Sequence, residues 1–417
     1  MAAPPRSSAP PEAGLASVAT VSFLASRAAP TGGFVIALAG GTAMARAGQR
    51  LGARRGYGAS IAAMLESVAI MGPARFGVPL TQAASAPMMG ALEARGVHPL
   101  LQGIACGLIR LAHNTLATAF FIWVILGGLD AYAGSYDTLL GDLAVLPSGE
   151  AAALALTGAG LAGWALFATT VQVVVYRRGL AAWPEDTDQR ERKGSDLTPG
   201  GSRNDGPMRH RALDPRAATL AAAIVLGLLV ASTAWALLAG VCAWLALAAP
   251  AGRGSDRTVL ATGAVLTALL GGSALVASLV AGLGADLALR RALRAALLVL
   301  VATWLRAAAG SEGLREVARR SLGRMRRLPA MPEAAAVLER LGSDRRLVAA
   351  GRGLLGALGP VRKRPLPVLD AVLGWVASHS GSFVPDAPGA RTRLSARPLD
   401  ALLVLAAALP AAGLALA

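Results

Sequence analysis

Long apolar segments alternate with short basic segments along this chain. The longest apolar run, 217–249, has thirty-three residues without a charge. It follows a basic stretch that begins at Arg209 and an Asp-Pro turn at Asp214, an order typical of a chain that leaves the cytoplasmic surface and enters a bilayer. Because a Ser-Thr pair at Ser232 lies near its middle, the run predicts two short membrane helices.

Further apolar segments predict helices at about 14–26, 32–45, 57–90, 100–129, 151–176, 258–284, 295–309 and 399–417. The first two are shorter than the ~20 residues that span a bilayer, so either they form a short hairpin or only one of them crosses. The third is broken by prolines, which favours a hairpin or a re-entrant pair. The interval 130–150 has four acidic residues and no lysine or arginine, which predicts an external loop.

The composition indicates an all-α polytopic helical membrane protein. Of 417 residues, 54% are hydrophobic and only 15% are charged, whereas a soluble domain has about 25% charged residues. The mean hydropathy is +0.54. Aromatic residues make up 4% of the chain, and its many alanines and glycines suit helices that approach one another closely.

The charge pattern decides which partners are expected. A formal net charge of +16 would suggest nucleic acid as the partner of a soluble protein. Here the arginines lie between apolar segments, where the positive-inside rule accounts for them, so we expect a lipid bilayer and no nucleic acid. Cys106 and Cys242 both lie inside apolar segments, so neither a disulfide nor a metal site is predicted, and no cofactor is expected.

The chain divides at a polar, charged linker. We predict a disordered cytoplasmic tail over 1–13, a multi-pass membrane domain over 14–180, the linker over 181–208 and a second membrane domain over 209–417. In part of the second domain, apolar residues share one helical face and arginines cover the rest. This pattern predicts amphipathic cytoplasmic helices over about 311–378, at the membrane surface.

A stripe of polar residues in the segment 100–129 marks a candidate site. Residues Gln102, Cys106, Arg110 and Asn114 recur at four-residue spacing, which places them on one helical face. Polar and ionisable groups at membrane depth are costly unless they pair or line a cavity. The predicted intramembrane polar site therefore comprises Gln102, Arg110, Asn114, His113, Glu66 and Arg75.

The same residues also have a purely structural interpretation. Glu66 would form a buried pair with Arg75 or Arg110 that holds helices together, and His113 would be a packing residue and not a metal ligand. No phosphate-binding Gly-Lys-Ser/Thr loop, zinc-protease motif, nucleophile elbow or carboxylate cluster occurs, so the chain is predicted not to be an enzyme, with no catalytic residue. An intramembrane enzyme acting on a lipid-linked substrate stays open as an alternative.

Motifs in the second half resemble those of a known family. Leu213-Asp-Pro-Arg216 precedes the long apolar pair, arginine-rich amphipathic segments follow, and Arg397-Pro-Leu-Asp400 precedes the last apolar segment. In this order they resemble the transmembrane coupling component of energy-coupling factor (ECF) transporters, the T-component or CbiQ-like family, over about 209–417. The resemblance implies a membrane scaffold whose cytoplasmic helices bind a pair of ABC-type ATPases and transmit their closure to a substrate-binding membrane subunit.

The resemblance also implies docking residues. In this family an arginine within an Ala-Arg-Gly-like triplet enters the ATPase groove, and the corresponding triplet here is Gly351-Arg352-Gly353. Arginines of the preceding amphipathic helix would join it at the ATPase, namely Arg319, Arg320 and Arg324. Contact with anionic lipid headgroups is the alternative role for all of these arginines.

The family's second triplet is absent, since Trp375-Val-Ala-Ser-His stands in its place, and a closer match, Ala94-Arg95-Gly96, lies in the other half.

From the resemblance we expect a component of an ECF or ABC-type importer of a small molecule, of the vitamin or metal-ion class. Its partners would be ABC-type ATPases and a substrate-binding membrane subunit, the latter supplied by another chain or by the first half. The expected location is the bacterial plasma membrane, with the N-terminus in the cytoplasm. The absent triplet favours an alternative, a non-transport scaffold or lipid-interacting protein with a degenerate coupling domain.

Overall fold

The computed structural model describes residues 11–29, 32–75, 80–140, 149–183, 213–252, 257–361, 364–381, 383 and 397–415. These residues form α-helices and no strand, which confirms the predicted all-α class. The helices are α1 (Pro11–Ala28), α2 (Gly33–Met71), α3 (Leu80–Glu93), α4 (Pro99–Phe120), α5 (Leu129–Leu140), α6 (Glu150–Ala181), α7 (Pro215–Ala231), α8 (Trp235–Ala248), α9 (Arg257–Val280), α10 (Ala285–Arg324), α11 (Ala330–Arg340), α12 (Asp344–Ala357), α13 (Pro365–His379) and α14 (Pro398–Ala415). A π-helical turn, Phe121–Leu126, extends α4.

Among the described residues, four helical segments are long and apolar enough to cross a membrane, namely Pro99–Leu126, Glu150–Ala181, Arg257–Val280 and Ala285–Arg324. Three shorter helices, α7, α8 and α14, are also apolar. The outer faces of these helices carry large apolar side chains, and Leu166 of α6 is 72% exposed while Leu269 of α9 is 63% exposed. Extended apolar faces of this kind suit lipid, so the chain is a helical membrane protein.

Two of the helices bend sharply at glycines. Gly52 in α2 has a φ of 81° and Gly310 in α10 has a φ of 69°, values in the left-handed region that favours glycine. The bend at Gly310 separates the apolar part of α10 from its arginine-rich end, 311–324. The amphipathic region predicted over about 311–378 thus begins inside α10 and continues, after breaks, in α11, α12 and α13.

The first hydrophobic core surrounds α1 and α2. Most of α1 is buried, and Val18 and Phe23 are fully enclosed. The apolar faces of α11, α12 and α13 pack against this centre through residues such as Val337, Leu347 and Val372. The apolar faces of these amphipathic helices therefore pack against α1 and α2. The sequence analysis had expected the same faces to contact the membrane surface.

The second hydrophobic core joins α7, α8, α10 and α14. Trp244 and Trp304 meet edge to face with their ring centroids 4.9 Å apart, and Nε1 of Trp304 donates to the carbonyl oxygen of Ala248 at 2.8 Å. The chain is extended at Ser232 between α7 and α8. The predicted division of 217–249 into two helices is therefore confirmed.

Several boundaries differ from those predicted. Helix α5 occupies part of the predicted external loop, and α1 begins at Pro11, inside the predicted tail. Helix α10 begins ten residues before the predicted segment, so Arg291 and Arg294 lie within it. The predicted segment began after these arginines because arginines usually lie in water at the ends of membrane segments. In the structure both side chains are buried instead. Residues 1–10 and 184–212, which hold most of the predicted tail and linker, lie outside the described residues.

Candidate functional site

A buried carboxylate organises the arginine-rich end of the molecule. Glu66 of α2 is fully buried, and its two oxygens accept hydrogen bonds from Nε of Arg315, at 2.6 Å, and from Nη2 of the same guanidinium. Nη2 of Arg315 also donates to Asp344 at the start of α12. One guanidinium therefore joins α2, the end of α10 and α12, and two carboxylates offset the cost of burying it.

Arg352 lies on the exposed side of α12. The opposite face of the helix packs against α1, because Leu354 is buried and a Cβ at Gly351 would be in van der Waals contact with the carbonyl oxygen of Val21, at 3.7 Å. Arg352 and Gly353 face away from this contact and are exposed. The helix thus presents a guanidinium from a rigid support, as docking to a protein surface requires.

The arginines at the end of α10 differ in their surroundings. Nε and Nη2 of Arg319 donate to the two oxygens of Glu316, each at 2.9 Å, and Nε of Arg320 donates to the same carboxylate at 2.5 Å. Arg324 is exposed at the last position of the helix. Of the three docking candidates in α10, two are thus held by a carboxylate of their own helix.

The first turns of α7 and α14 lie side by side. Oδ1 of Asp400 accepts a hydrogen bond from the N–H of Asp214 at 3.0 Å, and Oδ2 accepts one from the N–H of Arg397 at 2.7 Å. Asp214 caps α7 by accepting from the N–H of Arg216 at 2.8 Å. Burial raises the pKa of Asp214, but the hydrogen bonds of Arg216 and the positive charges of Arg216 and Arg320 outweigh burial, so this pKa lies below its usual range.

The polar stripe predicted in α4 lies on the buried face of that helix. Gln102 and Cys106 are fully buried, and Arg110 is 4% exposed. Nη2 of Arg110 donates to Oε1 of Gln172 in α6 at 2.5 Å, and Nε2 of Gln172 donates to Oγ of Ser85 in α3 at 2.6 Å. A continuous chain of hydrogen bonds therefore joins α3, α4 and α6.

Several buried polar groups near this chain have no hydrogen-bond partner. In the part of the protein that the structure describes, they are Nε of Arg110, Nδ2 of Asn114, Oγ1 of Thr169 and the hydroxyl of Tyr176. No described carboxylate forms an ion pair with Arg110, and Tyr176 is fully enclosed. All four groups are able to donate hydrogen bonds, so they suit a ligand that carries oxygen acceptors.

Of the remaining predicted site residues, Arg75 contacts α9, whereas His113 lies beside Asn114 on α4. Nη2 of Arg75 donates to Oγ1 of Thr262 in α9 at 2.9 Å, and Arg75 lines a shallow cleft together with Arg306. His113 is partly exposed on α4. The described residues contain no group of three His, Cys, Asp or Glu side chains that could hold a metal ion.

The sequence did not identify the partners of Glu66 and Arg110. Arg315 lies 249 positions from Glu66, and the sequence placed it among arginines expected at the membrane surface. Gln172 belongs to a second polar stripe, Thr169, Gln172 and Tyr176, whose spacing of three and four residues matches one helical face. That spacing is a signal from which the site on α6 could have been predicted.

No protein-family model, curated protein or solved structure matches this chain. The residues and their geometry are therefore the basis for assigning a function.

Proposed function

We propose that this protein is a membrane component of an energy-coupled importer of the ECF type, and that its arginine-rich end binds ABC-type ATPase subunits. The observation that carries the proposal is Arg352, exposed on a helix whose other face is fixed to α1. A guanidinium held in this way offers several donors to the carbonyl and carboxylate groups of a docking groove. In this arrangement the protein lies in the bacterial plasma membrane, with its arginine-rich end and N-terminus in the cytoplasm.

Helix α12 has a short physical connection to the membrane part. It contacts α1 through Gly351, and its first residue, Asp344, shares Arg315 with Glu66 of α2. Arg315 follows the bend at Gly310 in a helix whose first part is apolar enough to cross the membrane. A movement imposed on α12 by ATPase closure would therefore reach α2 and α10, as a coupling component requires.

The buried donors around Arg110 bear on the class of substrate. A bare metal cation needs oxygen, nitrogen or sulfur atoms that supply electron pairs. Arg110 and the amide nitrogen of Asn114 supply hydrogen-bond donors instead. Within the importer proposal, this cluster favours an oxygen-bearing organic molecule of the vitamin class over a metal ion.

Affinity purification from native membranes in a mild detergent tests the proposal. We expect ABC-type ATPase subunits to co-purify with the wild-type chain. The charge-reversal variant Arg352→Glu should lose these subunits while its level in the membrane and its thermal unfolding midpoint stay unchanged, because the side chain is exposed. Recovery of no ATPase with the wild-type chain would refute the docking role.

Arg95→Glu provides a matched control. Arg95 is also exposed, and it stands in the sequence Ala94-Arg95-Gly96, the closest match in the chain to the family triplet. It lies in the turn after α3, however, and not on a helix packed against α1. We expect Arg95→Glu to retain the ATPases, and the reverse pattern between the two variants would contradict docking through α12.

A second candidate function is a membrane scaffold with a degenerate coupling fold. This candidate is favoured by the residues that stand where the family's second triplet is expected. Trp375 stacks there on His379, with ring centroids 4.5 Å apart. Tryptophan and neutral histidine each offer one N–H donor, whereas an arginine presents five and a permanent positive charge. In this case neither the wild-type chain nor Arg352→Glu should recruit ATPases, and both should support growth equally.

A further inference from the structure

Two arginines of α10 are buried close to the start of that helix. Arg291 is 6% exposed and Arg294 is 4% exposed, and their separation of three residues places them on one helical face. Arg291 lies against the π-helical end of α4, where a Cβ on Gly127 would be 2.5 Å from Nε of Arg291. The absence of a side chain at Gly127 thus makes room for the first of the two guanidiniums.

Neither of these two cations has an anionic partner within the described ranges of the chain. Nη2 of Arg291 donates to the carbonyl oxygen of Gly127 at 3.3 Å, but Nη1 of Arg291 and both Nε and Nη2 of Arg294 have no acceptor in the described part of the chain. The neighbouring carboxylate, Asp286, is engaged elsewhere, since it pairs with Arg290 and accepts from Nε1 of Trp235 at 2.8 Å. No described carboxylate contacts Arg291 or Arg294.

A buried charge without a counter-charge is among the most costly arrangements in a folded protein. The unpaired atoms here form a specific pattern. Nε and Nη2 make up one edge of the Arg294 guanidinium, and this edge binds two oxygens of one anion in parallel. Nη1 of Arg291, one helical turn away, supplies a third donor, so the set matches an anion with at least three oxygens better than it matches a carboxylate.

We propose that Arg291 and Arg294 form a binding site for a phosphate group, with Arg294 contacting two of its oxygens and Arg291 a third. The site goes beyond the proposed function, because it involves neither Arg352 nor an ATPase. Sixteen residues separate Arg294 from the bend at Gly310, which corresponds to about 24 Å of helix. The site therefore lies toward the opposite end of α10 from the Arg315 network.

A phosphate group at this position has two possible sources, a phospholipid headgroup or a small phosphate-bearing molecule. A first experiment probes the free ion. Inorganic phosphate is titrated by calorimetry into the full-length protein in a maltoside detergent, which itself carries no phosphate. We expect saturable binding by the wild-type chain, and affinity lower by about tenfold or more in Arg294→Gln, because a bidentate charge-assisted contact is lost.

A second experiment probes the headgroup. The protein is purified after reconstitution into vesicles of equal parts phosphatidylcholine and phosphatidylglycerol, and the lipids that it retains are identified by native mass spectrometry. If the phosphate belongs to a lipid, the wild-type chain should retain a phospholipid that Arg294→Gln loses. Phosphate binding in detergent without lipid retention would assign the site to a small molecule.

Two further variants keep the proposal falsifiable if Arg294→Gln folds poorly. Arg294→Lys preserves the charge but not the guanidinium edge, so its affinity should lie between those of the wild type and Arg294→Gln. Arg257→Gln removes an exposed arginine at the first position of α9, and it should bind as the wild type does. The proposal is overturned if the wild-type chain binds neither phosphate nor phospholipid, or if Arg294→Gln binds them equally well.

Discussion

Glu66 and Arg315 form a two-pronged ion pair between α2 and the arginine-rich end of α10, with Nε of Arg315 2.6 Å from Oε2 of Glu66. The carboxylate is completely buried, and the guanidinium side chain is 18% exposed. Arg315 also donates to Asp344, so one guanidinium contacts both acids. The position of α12, and with it that of Arg352, therefore depends on this pair.

Arg315→Met should destabilise the protein by about 3–5 kcal/mol, because it leaves the Glu66 carboxylate buried without a counter-charge. Adding Glu66→Gln to the same chain should recover part of this loss, since the unpaired charge disappears. Thermal or denaturant unfolding in detergent measures both effects. The control is Arg54→Met, which removes an exposed pair with Glu333 and should cost at most about 1 kcal/mol. Equal losses for Arg315→Met and Arg54→Met would contradict the importance of the buried pair.

Local sequence patterns predicted helix faces better than they predicted contacts. The four-residue spacing that joins Gln102, Cys106 and Arg110 holds for any α-helix, so the buried stripe of α4 could be predicted from sequence. The partner of Arg110 could not, because Gln172 becomes its neighbour only when α4 and α6 pack together.

Charged residues show the same limit. The sequence suggested Arg75 or Arg110 as the partner of Glu66 because all three lie in apolar segments of the first half. The structure pairs Glu66 with Arg315, an arginine from a segment whose apolar face was expected to contact lipid. Which surface an amphipathic helix covers depends on the other helices available to it, and periodicity alone does not contain that information.

Acidification should weaken the first turn of α7. The pKa of Asp214 is lower in the folded protein than in the unfolded chain, where it is about 3.9. The stability that its carboxylate provides is therefore complete above about pH 5 and is lost as the pH falls through the lower, folded value. Asp214→Asn keeps an effective helix cap but does not titrate. Denaturant unfolding between about pH 5 and pH 3 should show a steeper loss for the wild type than for Asp214→Asn, and parallel curves would refute the prediction.

The hydrogen bond between Arg110 and Gln172 should produce strong coupling between the two positions. Gln172→Leu leaves a buried guanidinium without its acceptor, and Arg110→Leu leaves the amide oxygen unpaired, so each change should cost about 1–3 kcal/mol. In the double variant both unpaired groups are gone, and the total loss should be smaller than the sum by about 0.5–3 kcal/mol. Unfolding free energies of the four chains measure this coupling. Additive losses would show that the two side chains do not interact.

Accessibility to a membrane-impermeant maleimide should distinguish the two ends of the segment Pro99–Leu126. Its 28 residues correspond to about 42 Å of helix, enough to separate Arg95, before α4, from Asp130, in α5. Both residues are exposed, so single cysteines can be introduced there after Cys106 and Cys242 are replaced by alanine. In intact cells, Asp130→Cys should react with the reagent, whereas Arg95→Cys should react only after the membrane is permeabilised, because the arginine-rich end is retained in the cytoplasm. Labelling of Arg95→Cys in intact cells would reverse the proposed orientation and place Arg352 on the side of the membrane where no ATPase is found.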